Sequence, residues 1–138
     1  MRFESGRHDY NSDPYYYTAD NCRYNRDGRY YETNQYGANM LRGAVNNGYA
    51  QGFQAGQADQ QDHWRADYQN AYAYQDANYG YDGYDISQDD YNYYFREGFR
   101  RGYEDGYYGR HQYGGYYGGN YAISGNLMGG IVTFQPLQ

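Results

Sequence analysis

Gly48-Tyr49-Ala50-Gln51-Gly52-Phe53-Gln54-Ala55-Gly56 and, at an offset of 50, Gly98-Phe99-Arg100-Arg101-Gly102-Tyr103-Glu104-Asp105-Gly106-Tyr107 keep one four-residue beat of glycine beside aromatic rings. Residues four apart share a helix face, so each stretch presents a row of bare backbone next to a row of rings. Six glycines inside helices cost roughly 5–6 kcal/mol relative to alanine, comparable with the net stability of a small domain, so close contact must offset them. The copies superpose Gly48 on Gly98, Gly52 on Gly102, Gly56 on Gly106, Ala44 on Tyr94 and Val45 on Phe95. Two copies are too few for a solenoid and suit a pseudo-symmetric helix pair packed glycine row to glycine row at a steep crossing. The expected fold is mainly α: a helical hairpin with glycine-aromatic seams formed by Gly48, Gly52, Gly56, Gly98, Gly102, Gly106, Phe53, Phe95, Phe99 and Tyr103. Leucine at Gly102 should exclude the partner helix, whereas alanine is tolerated if the row is merely exposed.

Outward from the ladders, a first helix is expected over about 38–62, with Leu41, Val45, Tyr49 and Phe53 on one ridge. The stretch 64–77 is helix-permissive and reads as a short second helix or a kinked continuation. Residues 78–85, NYGYDGYD, are turn chemistry. Ser87 then offers an N-cap with Asp90 three residues on, and Ile86 a hydrophobic staple to Tyr91, opening a helix over about 87–109. This divides the chain into an irregular Tyr/Asn/Asp-rich arm at 1–37, a core at 38–110, and a Gly/Tyr linker with an apolar tail at 111–138. The tail carries Ile123, Leu127, Ile131, Val132 and Phe134, of which Ile131–Phe134 favours a short strand. Either it folds back to cap the helices or it docks on a neighbouring subunit as an extended assembly tail.

Leu, Ile, Val and Phe supply only 13 residues against 25 Tyr and 20 Gly, which excludes a conventional aliphatic core. Tyrosine substitutes in part, because each ring buries a large apolar body while its hydroxyl demands a partner. The core would then be thin and aromatic, or completed between chains. Every cation is arginine, the net charge is −6, and this acidic balance argues against nucleic acid. No segment reaches the roughly 18 apolar residues of a membrane span, and Arg96, Glu97, Arg100, Arg101, Glu104 and Asp105 exclude lipid packing of the second ladder. Met1-Arg2-Phe3-Glu4 does not open a signal peptide, so an exported chain is expected to have its leader removed or outside this numbering. Cys22 is the sole cysteine, so no internal disulfide is expected; it reads as a small buried or half-buried residue, or as one half of an intermolecular disulfide.

His8, His63 and His111 lie far apart and form no spaced ligand pair, so no metal site is expected. Asp9, Asn11 and Asp13 imitate the opening of a calcium loop, but Pro14 stands where that loop needs glycine and Asp20 where it needs glutamate. Nothing resembles a nucleophilic triad or a phosphate loop; the glycine spacing of four is not that of a dinucleotide fingerprint. No catalytic or cofactor-binding residue is expected, and the chain reads as non-enzymatic.

The segment 74–110, YQDANYGYDGYDISQDDYNYYFREGFRRGYEDGYYGR, with the earlier NGYAQGFQAGQAD, resembles small, poorly characterised and mostly exported bacterial proteins with repeated GYxxGxxxGxxD and YRxGFxxGYxxGY patterns. That resemblance implies an extracellular or cell-surface location and supplies no activity. Composition adds three function classes. The leading one is a self-assembling structural subunit, a homo-oligomer or polymer in a filament or layer, in which chains supply each other's missing burial. The alternative is a soluble accessory module gripping carbohydrate or a partner protein through exposed tyrosines. The third is a Tyr/Gly/Asn/Gln-rich disordered or condensate-forming chain.

Overall fold

The structure is a computed structural model that describes residues 8–137; the first seven residues of the expected arm, and the last of the tail, lie outside them. In chain order it runs α1 (Pro14–Tyr17), β1 (Cys22–Arg26), β2 (Arg29–Thr33), α2 (Gln35–Gln61), a 3-10 turn (Tyr68–Asn70), α3 (Tyr72–Asp76), α4 (Gln88–Tyr108), β3 (Gly114–Tyr117), β4 (Asn120–Ile123), α5 (Gly125–Ile131) and β5 (Phe134–Pro136). It is mainly α, with two long helices packed together and a minority of strands.

The glycine ladders are where α2 and α4 meet. A β-carbon added to Gly48, Gly52 or Gly56 would stand 2.0, 2.2 and 2.2 Å from the carbonyl oxygens of Phe95, Phe99 and Tyr103. Reciprocally, one added to Gly98, Gly102 or Gly106 would stand 2.0, 2.0 and 2.1 Å from those of Val45, Tyr49 and Phe53. Each carbonyl thus points at a glycine hydrogen, a weak C–H···O contact available only where no side chain intervenes.

The order of these contacts corrects the expected hairpin. Gly48 meets Phe95 and Gly56 meets Tyr103, so both sequences ascend together and the helices are parallel. Antiparallel neighbours are joined by short loops. Here residues 62–87, with the 3-10 turn and α3, carry the chain back to the starting end, so 64–77 is not one helix.

The helix boundaries have local causes. Ser87 Oγ accepts from Asp90 N at 3.2 Å and opens α4, and Gly109 closes it at φ 65°. α2 begins earlier than expected because buried Asn34 caps it, Oδ1 accepting from Tyr36 N at 3.0 Å and Gly37 N at 3.2 Å. Its Nδ2 donates to the carbonyls of Tyr15 and Thr18, binding α1 to the helix start.

From Pro14 onward the expected irregular arm carries a short helix and a hairpin, and the linker carries a second hairpin. Asp27-Gly28, with φ 56° and 84°, closes the β1–β2 hairpin, and Gly118-Gly119, with φ 57° and 93°, closes β3–β4; both are two-residue turns with positive φ throughout. β5 pairs antiparallel with β1, Tyr24 opposite Phe134, making a sheet of order β2-β1-β5.

The seam leaves a side chain no room. Gly102→Ala is expected to destabilise by about 3 kcal/mol or more, since the methyl meets fixed backbone. Gly43→Ala, in the same helix pair but with open space at its β-carbon, is expected to gain up to about 1 kcal/mol. Urea midpoints of the two variants read this directly.

Candidate functional site

Past Gln61 the chain leaves α2 and is caught by side chains of α4. Tyr107 donates its hydroxyl to the Trp64 carbonyl at 2.5 Å. Tyr103 donates to Asp59 Oδ2 at 2.5 Å and accepts from Asp67 N at 3.0 Å. α3 is held from below: Arg96 donates to the carbonyls of Tyr74 and Gln75 at 2.9 and 2.6 Å, a cation at a helix C-terminus. Asn92 donates to the carbonyl of Ala77 at 2.7 Å.

These anchors fix both rims of a cleft of about 390 Å³ lined by Ala55, Asp59, Trp64, Arg65, Asp67, Asn70, Ala71 and Tyr72. Tyr72 is 79% and Trp64 63% exposed, two rings presented to solvent on a braced backbone. Asn70 Nδ2 donates to Asp67 Oδ2 at 2.6 Å. The cleft therefore offers apolar ring faces, carboxylates, an amide and a guanidinium within one concavity, which suits a neutral, hydroxyl-rich ligand.

The sequence-derived residues divide differently. The six glycines meet the opposite helix as backbone, and Phe95, Phe99 and Tyr103 contribute carbonyls to the same seam. Their rings instead stack along α4 from Tyr91 to Tyr107, with centroids 5.9 to 6.3 Å apart. Phe53 stacks on Tyr121 of β4 at 4.2 Å. Val45 and Tyr49, which supply the reciprocal carbonyls, complete the seam. In the tail, Ile123 and Val132 are buried in the chain's own core and Phe134 packs edge-on against Tyr24. Ile131 is half-buried and Leu127 is exposed. The tail folds back on its own chain, so the expected extended form is replaced by β4, α5 and β5. Cys22 is half-buried, and burial pushes its thiol up. The imitation calcium loop is a turn: Asp9 accepts from Asn11 N, and Asp13 caps α1.

No protein-family model, curated protein or solved structure matches this chain.

The site stands on a core whose hydroxyls are largely committed to carboxylates. Tyr49 donates to Asp105 at 2.7 Å and Tyr24 to Asp90, which also pairs with Arg26. Burial, then the neighbouring Asp105 or Asp90, raises the Tyr49 and Tyr24 hydroxyls; burial also raises Tyr94, and burial with Asp59 pushes Tyr103 up to about 12. The folded state thus keeps protons that the unfolded chain releases near pH 10. Their stabilisation is complete below about pH 10 and is lost as pH rises toward and beyond 12, each hydroxyl contributing a slope of roughly 1.4 kcal/mol per pH unit. Alkaline unfolding, with a group of tyrosines ionising only as circular dichroism collapses, is the expected result in tyrosinate absorbance titrations.

Proposed function

We propose that this chain is a non-enzymatic binding module that holds a carbohydrate across the Trp64–Tyr72 cleft. The carrying observation is the pairing of two highly exposed rings with Asp59, Arg65, Asp67 and Asn70 in one braced concavity. A β-linked pyranose chain has flat, weakly apolar C–H faces that stack on indole and phenol, and equatorial hydroxyls that reach carboxylates, amides and guanidinium. Bracing matters because a preformed site spares the ordering of two loops on binding. The self-assembly reading rests on burial missing from one chain. Yet Tyr24, Tyr49, Tyr91, Tyr94, Phe95, Phe99 and Tyr103 are buried within this one, and Ile123, Val132 and Phe134 of the tail pack on the same core. A carbohydrate ligand also agrees with an extracellular or surface location, as the exported bacterial proteins of similar pattern imply.

Isothermal titration of the full chain with cello- and chito-hexaose tests this. Binding to at least one is expected, with Trp64→Ala and Tyr72→Ala each weakening it about tenfold or more while leaving the melting temperature within a degree or two. Tyr117→Ala, on the β3–β4 hairpin, should leave binding unchanged. Absence of binding to either glycan, or binding indifferent to both cleft substitutions, rejects the assignment. Sedimentation should give a monomer; a polymer would return the assembly reading to first place.

A further inference from the structure

Away from the cleft, two segments distant in sequence bring three metal-ligating side chains together: His8 and Asp13 from the arm, and Asp85 from the loop before α4. One ligand atom from each lies within 4.8 Å of the others. His8 Nε2 stands 2.7 Å from Asp13 Oδ2. His8 Nε2 is thereby paired with Asp13, whereas Asp85 Oδ1 is buried with no donor among the described residues and faces the further carboxylates of Asp13 and Asp82. A buried carboxylate oxygen facing other carboxylates is costly when ionised, and a cation shared with His8 and Asp13 offsets that cost. No ion pair of the described residues brings an arginine to Asp13 or Asp85.

We propose that His8, Asp13 and Asp85 bind one divalent transition-metal ion of the zinc type, clipping the N-terminal arm to the loop that precedes α4. One nitrogen and two carboxylate oxygens form a donor set zinc accepts, at about 2.0–2.2 Å, with a fourth position left for water; calcium wants six or more oxygens. Around an ion at that distance the donors stand roughly 3.4 Å apart, so the His8–Asp13 pair, now at 2.7 Å, opens slightly to admit the ion. The ligands are already oriented. The His8 ring stacks on Tyr84 with centroids 3.3 Å apart and meets Tyr10 edge-on at 4.5 Å. Asp13 Oδ1 accepts from Tyr15 N at 2.9 Å, and the Asp85 backbone donates to Tyr16 Oη at 2.9 Å. Such outer contacts tune ligands in metal sites. In a chain with one cysteine, an ion joining residues 13 and 85 supplies the long-range cross-link a disulfide would. This site is independent of the carbohydrate cleft.

The test uses the full chain stripped with chelator, then titrated with zinc by calorimetry and with cobalt(II) by visible absorption. One equivalent of zinc should bind, cobalt should develop ligand-field bands, and zinc at about 100-fold above Kd should raise the melting temperature by roughly 5–10 °C. Asp85→Asn and His8→Gln should each weaken binding about tenfold or more and abolish the thermal shift; His111→Gln should not. Metal-free Asp85→Asn should melt no lower than the wild type, because an amide replaces an unpartnered carboxylate. Loss of the response is thereby separated from loss of fold, with His8→Gln as the deciding variant if Asp85→Asn misfolds. No zinc binding up to about 1 mM, or a response that survives both substitutions, overturns the proposal and leaves protons as the cluster's occupants.

Discussion

Carbonyl oxygens of one helix seated where the other lacks β-carbons are the contact on which the rest of the molecule depends. It is made six times, three in each direction. Because both partners are backbone, the contact fixes separation, register and direction together, with little side-chain freedom to blur them. Direction has the widest effect. Parallel helices oblige the chain to return along their length, and the returning segment, caught on Tyr103, Tyr107 and Arg96, forms the cleft.

With backbones in contact, rings are pushed to the flanks, where they form the core. Tyrosine serves there because hydroxyls meet acceptors at the layer's margin: Tyr24 at Asp90, Tyr49 at Asp105, Tyr103 at Asp59. Asp105 shows how tightly this is wired. Fully buried, it also accepts from the backbone of Gln112 and Tyr113, and so sets the turn from α4 into the second hairpin. Few aliphatic residues suffice because ring area and satisfied polar atoms take their place.

The glycine period, the ring ridge of α4 and the Ser87 cap were legible because each is a local pattern with a local cause. Helix direction was not: a fixed offset matches Gly48 with Gly98 in sequence, yet says nothing of which glycines meet in space. The hairpins were signalled by Asp27-Gly28 and Gly118-Gly119, but tyrosine-rich flanks lack the polar-apolar alternation that marks a strand. Trp64 and Tyr72 carried no signal as a pair, since their relation depends on Tyr103 and Arg96 far along the chain. The meeting of His8 with Asp85 is likewise a product of tertiary structure alone.

The pairing of β1 with β5 sets an order of events. Tyr24 finds Phe134 only after more than a hundred intervening residues exist, and α2 waits some fifty residues for α4. Neither the sheet nor the helix pair can close early, so the contact order is high and folding is slow for so helical a chain. During that wait the glycine row of α2 and its flanking rings are uncovered. The seam therefore stays open until α4 is made, and the sheet stays incomplete until its last strand is free.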